Sequence, residues 1–211
     1  MVNLNGTEGS VTIIGAVSPQ GSDFSEPVTQ NTKRFVRAFW ALDKALAYAR
    51  HYPAINWTTS YSEYIDELKG FYDKNYGEEF LSCRQRVSNI LSEEAKLMEI
   101  VKLIGADVLP EDQKLTITAA KLVRVGFLQQ NAFHADDTYV PLEKQLGMMK
   151  VILYFYDAAM KKVKDGVPVS QIARTGLEDA IVKIKYNVPN NELQKLDEYY
   201  PMIDEKLAEV K

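Results

Sequence analysis

Most of the chain alternates apolar and polar positions with the three- and four-residue spacing that is typical of amphipathic helices. In residues 30–51 this spacing predicts one long helix, which ends at Tyr52 because a residue that precedes a proline is disfavoured in the α conformation. Further helices are predicted for residues 60–72, 78–104, 110–127 and 141–164, with shorter ones near the C-terminus. The pattern therefore predicts a mainly α protein with a helical domain of about six or seven helices.

One segment near the N-terminus has a different pattern. Residues 9–17 are rich in β-branched side chains and end in turn residues, which predicts a β-strand. A single strand needs partners in a sheet, and residues 1–10 have room for one more strand at most. We therefore expect either a small sheet packed on the helices or a strand of a larger sheet outside this sequence.

The loop after this strand, SPQGSDFSEPVT, is longer than the roughly four to six residues that connect most elements. Two prolines and a glycine shape it, and Asp23 and Glu26 flank a single aromatic residue, Phe24. The local pattern therefore indicates a solvent-exposed loop that is shaped by its prolines and its glycine.

Composition excludes several classes of protein. The 211 residues carry a formal net charge of −4 and show no basic stripe with interleaved aromatics, so nucleic acid is not an expected partner. No apolar run approaches the roughly 20 residues that span a bilayer. Cys83 is the single cysteine, which excludes an internal disulfide and favours a reducing, cytoplasmic location.

Motifs for chemistry are largely missing from the sequence. It contains neither the glycine-lysine loop that binds phosphate nor the glycine pattern of dinucleotide sites. For His51 we favour a packing or capping role, for Cys83 an inert thiol, and for His134 with Asp136 and Asp137 a solvated acidic loop rather than a metal site. We therefore predict no catalytic residue and no metal ligand within this chain.

Three aromatic residues lie at element ends next to loops: Tyr52, Phe127 and Phe133. Such residues can stack on a flat base, but they also commonly fill a core. On the pattern alone, the core interpretation is favoured.

Long strings of the sequence resemble the catalytic A-type subunits of archaeal and vacuolar-type rotary ATP synthases and ATPases. These strings are GSVTIIGAVSPQGSDFSEPVTQNT, FWALDKALAYARHYPAINWTTSYSEY and FLQQNAFHADDTYVPLEKQ. The resemblance implies ATP synthesis or hydrolysis coupled to H⁺ or Na⁺ transport in the intact complex. It also implies that the P-loop, the Walker-type acid and the catalytic glutamate lie upstream, so that Met1 is an artificial boundary and this part alone is inactive.

The same resemblance divides the chain into a C-terminal remnant of the P-loop nucleotide-binding domain, residues 1–56, and a helical C-terminal domain, residues 57–211. It places Tyr52 of HYPAIN against the adenine of ATP or ADP, which the intact protein binds with Mg²⁺. Phe133 of FLQQNAF matches the aromatic on the opposite side of the adenine, and Phe127 is the alternative for that position.

The resemblance also implies two surfaces that face the rotor. Asp23, Phe24 and Glu26 belong to the first, and the turn LIGADVLPEDQ supplies Asp107, Glu111 and Asp112 to the second, with Val108 and Leu109 making it partly apolar. The expected partners are the B subunits of an A3B3 ring and the central-stalk subunits, with membrane association only through the whole complex. The alternative from another class is a freestanding helical interaction module without a nucleotide role.

Overall fold

Three long helices pack side by side at the centre of the fold: α4 (Glu79–Ile104), α5 (Glu111–Leu122) and α7 (Leu142–Lys164). The computed structural model describes residues 2–4 and 6–210. Each helix turns an apolar face inward, as with Leu91 of α4, Leu115 of α5 and Phe155 of α7, which are all buried. The helices predicted for residues 78–104, 110–127 and 141–164 are thus confirmed, and so is the mainly α fold class.

Shorter elements surround these three helices. The remaining helices are α1 (Pro27–Phe35), α2 (Lys44–Tyr48), α3 (Ile65–Tyr76), α6 (Ala135–Thr138), α8 (Val169–Ala173), α9 (Leu177–Val182), α10 (Ile184–Asn187) and α11 (Tyr199–Ala208). The strands are β1 (Val2–Leu4), β2 (Thr7–Gly9), β3 (Ala38–Phe39) and β4 (Tyr61–Ser62). A short 3-10 turn covers Gln20–Ser22 and a 3-10 helix covers Leu193–Glu198. In the described part of the chain, no helix has both the length and the apolar composition needed to cross a bilayer.

Helix α5 continues directly into a π-helical segment, Val123–Leu128. At this segment the chain packs closely on α9, because a Cβ added to Gly126 would lie 3.3 Å from the Cα of Val182. The wider turn ends at Gln129, where the chain leaves the helix and enters the loop that carries Phe133.

The strand predicted for residues 9–17 is wrong. Strands β1 and β2 form a small antiparallel hairpin, and the chain from Ser10 to Pro19 has no regular secondary structure. The apolar side chains of Val11, Ile13 and Ile14 are exposed. The physical reason is that a strand needs a neighbour for its backbone hydrogen bonds, and in the described part of the chain none lies beside this segment.

The long helix predicted for residues 30–51 is also wrong. Its middle forms β3, which pairs in antiparallel fashion with β4, so the helical pattern is divided between α1 and α2. Because of the same pairing, the next helix, which was predicted to begin at residue 60, begins at Ile65. Ser60 does not cap that helix; its hydroxyl accepts a hydrogen bond from the backbone N–H of Ala41 at 3.0 Å.

Candidate functional site

Two exposed aromatic side chains lie where the N-terminal segment meets the helical core. Tyr52, which follows α2, is 55% exposed, and Phe133, in the loop between the π-helical segment and α6, is 100% exposed. The two segments are joined by their backbones, since the N–H of Gln130 donates to the carbonyl of Tyr52 at 2.7 Å. The side chain of Gln129 adds a second bond, from Nε2 to the carbonyl of Arg50 at 3.2 Å.

Phe127 lies behind this junction rather than on its surface. It is partly buried against the core and lines a cavity of about 310 Å³ together with His51, Pro53 and Trp57. The structure therefore brings Tyr52 and the Phe133 loop to one exposed junction, whereas Phe127 is partly buried in the wall of a half-open pocket.

The ring of His51 is buried and packs against Trp57, with 5.5 Å between the ring centroids. Burial lowers the pKa of His51, and the positive charges of Arg124 and Lys185 lower it further. A neutral, packed imidazole agrees with the structural interpretation of this residue. Burial also raises the pKa of the Cys83 thiol, which agrees with an inert cysteine.

Hydrogen bonds fix the loop that carries Phe133. The buried carboxylate of Asp137 accepts from the backbone N–H of Asn131 at 2.6 Å, and Asn131 Oδ1 in turn accepts from the N–H of Phe133 at 3.0 Å. His134 Nδ1 accepts from the N–H of Asp136 at 3.2 Å and caps α6. The interpretation of a solvated acidic loop is wrong for Asp137, because its carboxylate is buried and accepts a hydrogen bond from the backbone of the loop.

Two buried lysines, which the sequence analysis missed, support the same loop. Lys185 is 3% exposed, and its Nζ donates to the carbonyls of Val125 at 2.9 Å and Gln129 at 2.6 Å. Lys144 is 0% exposed, and its Nζ donates to the carbonyls of Asp136 at 3.1 Å and Lys185 at 3.0 Å.

Burial lowers the pKa of both lysines. The carboxylate of Asp137 opposes this shift at both, and Asp136 opposes it at Lys144 as well. The clue present in the sequence was a lysine within a strongly apolar helix, at position 144.

The three residues of the N-terminal loop take part in local structure. The Asp23 carboxylate accepts from the hydroxyl and the N–H of Ser25, which lowers its pKa. Glu26 caps α1 by accepting from the N–H of Val28 at 3.1 Å. Phe24 is half-buried and meets Phe39 edge-on at 5.7 Å.

The turn between α4 and α5, residues 103–112, has a mixed surface that we call the tip. Asp107 and Asp112 are exposed, whereas the Glu111 carboxylate accepts from the N–H of Val169 at 2.6 Å and from Lys114 Nζ at 2.8 Å. Three apolar side chains of the tip are exposed: Leu103, Ile104 and Val108. The tip therefore presents more apolar than acidic surface.

Comparison with known proteins shows which family the chain is similar to. Residues 69–173 match the model of the C-terminal domain of V and A type ATP synthase, and residues 1–62 match the nucleotide-binding domain of the ATP synthase alpha/beta family. The V-type ATP synthase alpha chain 2 of Clostridium tetani is 56% identical over 97% of this chain and 36% of its own length. The V-type ATP synthase alpha chain of Halothermothrix orenii is 49% identical over 94% of this chain and 34% of its own length.

An archaeal relative, the corresponding chain of the A-type ATP synthase of Methanopyrus kandleri, is 48% identical over 96% of this chain and 34% of its own length. The chain thus spans about a third of the length of these relatives. Its matches cover both the helical part and the segment that precedes it. The chain therefore belongs to the family of V- and A-type ATP synthase alpha chains and includes the C-terminal domain of that family.

Proposed function

We propose that this chain works as the C-terminal part of the catalytic subunit of a rotary ATP synthase or ATPase, which couples ATP synthesis or hydrolysis to H⁺ or Na⁺ transport. The observation that carries the proposal is that the chain matches both domain families and is about half identical, over nearly its whole length, to ATP synthase alpha chains. The sequence has no phosphate-binding motif, so we expect no ATPase activity from this chain alone. A freestanding interaction module is not favoured, because residues 1–62 match a nucleotide-binding domain.

Within this role, residues 1–56 belong to the nucleotide-binding domain and residues 57–211 form the helical domain. The contacts of Trp57 support this boundary, because its side chain packs against the core of the helices. The preceding residue, Asn56, bonds back to the N-terminal part, where its Nδ2 donates to Asp43 at 2.8 Å.

Tyr52 and Phe133 supply the aromatic surface for the adenine of ATP or ADP, whose phosphates and Mg²⁺ are held by residues outside this sequence. Both rings are exposed, and the Gln130–Tyr52 backbone bond holds their segments together. Phe127 fits this role less well, because it is partly buried and packs against the core of the helices.

The expected partners are the B subunits of an A3B3 ring and the subunits of the central stalk, with membrane association through the complex alone. The tip suits a stalk contact, because it combines the exposed carboxylates of Asp107 and Asp112 with three exposed apolar side chains. Asp23, Phe24 and Glu26 form a second surface for the stalk, although their own contacts also fold the loop.

Aromatic substitutions in the intact complex test the base site. We expect Tyr52→Ala and Phe133→Ala each to raise the KM for ATP by about fivefold to a hundredfold, the range for loss of one base–aromatic stack, with little change in kcat. Phe35→Ala is the matched control, because that ring is also exposed but lies on α1, and it should leave the KM unchanged. Steady-state ATPase kinetics make the measurement.

Phe127→Ala separates the two candidates for the second aromatic. It should lower the free energy of unfolding by about 2 kcal/mol, because it removes a ring that packs against the core, and change the KM less than Phe133→Ala does. A wild-type KM in both Tyr52→Ala and Phe133→Ala would refute the proposed base site.

A further inference from the structure

The loop that carries Phe133 is held from inside the protein by the Nζ groups of two buried lysines, Lys185 and Lys144. We propose that Lys185 is a positioning residue, which fixes the Phe133 loop against the Tyr52 segment and so sets the width of the base site. This inference rests on the proposed role of Tyr52 and Phe133 in binding the base.

The contacts of Lys185 lie where the π-helical segment ends. The last carbonyls of a helix have no partner within the helix, and here Lys185 Nζ binds those of Val125 and Gln129. The next residue, Gln130, donates its N–H to the carbonyl of Tyr52 at 2.7 Å. The ammonium group is therefore one residue away from the bond that joins the two halves of the base site.

A second lysine holds the other end of the loop. Lys144 Nζ binds the carbonyl of Asp136 and the side-chain oxygen of Asn190 at 3.0 Å, and it also binds the backbone carbonyl of Lys185 itself. The two buried lysines thus form a connected frame beneath residues 129–136. A methionine side chain has about the same length as lysine but no N–H donor. In place of Lys185 or Lys144 it would leave buried carbonyls without hydrogen-bond partners, which costs free energy of folding.

On the exposed side, Asn131 completes the frame. Its Oδ1 accepts from the N–H of Phe133, and its own N–H donates to the buried carboxylate of Asp137. The position of the Phe133 backbone, and with it the Cα–Cβ bond that carries the ring, is therefore determined by contacts on both faces of the loop, because the ring itself is fully exposed.

Lys185→Met in the intact ATP synthase complex is the main test. We expect it to raise the KM for ATP by about fivefold to a hundredfold, the loss expected when one base–aromatic stack is misaligned, without a change in kcat. The inhibition constant of inorganic tripolyphosphate, which has no base, should stay at the wild-type value. Lys183→Met removes the same charge from a less buried position two residues away and should behave as wild type.

Asn131→Ala is the second variant, because it loosens the loop from its exposed side and poses no risk to the core. Like Lys185→Met, it should raise the KM for ATP. In a Phe133→Ala background, Lys185→Met should add less than a roughly twofold further change, because both act through the same ring.

Four outcomes would overturn the inference. One is an equal loss of ATP and tripolyphosphate affinity in Lys185→Met, and another is a full additional loss in the Phe133→Ala background. The third is a wild-type KM in both Lys185→Met and Asn131→Ala while Phe133→Ala alone is impaired; this result would leave the proposed base site standing. The fourth is a wild-type KM in Phe133→Ala itself, because the loop would then carry no ring that binds the base; the base site as a whole fails only if Tyr52→Ala has the wild-type KM as well.

Discussion

At the scale of single residues, the charge of a side chain did not reveal its role. The sequence resemblance assigns Glu111 to an acidic surface that faces the rotor. In the structure, its carboxylate instead joins α5 to the start of α8 by accepting from the N–H of Val169. Lys185 looks like an ordinary surface lysine in the sequence, yet it is buried, as is Lys144. Their partners are carbonyls far away in the chain, as for Lys185 and Val125, so no local pattern could have predicted them.

Glu111→Gln tests the structural role of that carboxylate. Lys114 and the N–H of Val169 lower the pKa of Glu111 below its ordinary value of 4.5, so its contribution to stability is present above that pH and is lost as the pH falls through the lowered pKa. We expect the variant to lower the free energy of unfolding by about 1 kcal/mol at pH 7, a modest value because the group is partly exposed. Urea denaturation at pH 7 and at pH 3 makes the comparison.

Asp112→Asn is the control for this measurement, because Asp112 lies one residue further along the same turn and has no bond of this kind to α8. It should change stability little at either pH. A deficit of Glu111→Gln that is as large at pH 3 as at pH 7 would contradict the charge-based explanation.

At the scale of elements, the periodicity correctly predicted those helices that also have glycine or proline residues at their ends. Gly105 and Pro110 mark the turn between α4 and α5, and Pro141 precedes α7, so the boundaries followed from local chemistry. Residues 30–51 carried an equally good helical pattern, but β3 pairs with β4 more than 20 residues later. A long-range strand pairing of this kind overrides local propensity and leaves no trace in the periodicity.

Asp43→Ala tests what starts α2 after that interruption. One carboxylate oxygen of Asp43 accepts from the N–H of Ala45 at 2.7 Å and of Leu46 at 3.3 Å, and the other accepts from Asn56 Nδ2. The bond from Asn56 is the largest cause of the lowered pKa of Asp43. We expect the substitution to lower the free energy of unfolding by about 1–2 kcal/mol, the usual effect of losing a helix cap.

Chemical denaturation at pH 7 measures this effect, with Lys44→Ala at the neighbouring exposed position as the control. Asp43→Asn should lose less than Asp43→Ala, because an amide oxygen can still cap the helix. Equal stability of Asp43→Ala and wild type would show that the β3–β4 pairing alone positions α2.

At the scale of the whole molecule, two of the places where apolar side chains are exposed bear on the proposed assembly. Val11, Ile13 and Ile14 are exposed in the segment before α1, and Leu103, Ile104 and Val108 are exposed at the tip. Contiguous apolar surface of this kind commonly marks contact with another part of a protein or with a partner. The proposed assembly accounts for both, with the rest of the nucleotide-binding domain against the first region and the central stalk against the tip.

A double substitution of the tip, Leu103→Ser with Val108→Ser, tests the second contact. These side chains are 84% and 64% exposed, so their loss should leave the fold and the KM for ATP unchanged. If the stalk pushes against this apolar surface, the complex should hydrolyse ATP but move severalfold fewer ions per ATP, as measured by pumping into vesicles. Leu68→Ser, at an exposed leucine on α3, is the matched control. Normal ion transport in the tip variant, together with impaired transport in Asp107→Asn, would show that the contact depends on charge rather than on apolar packing.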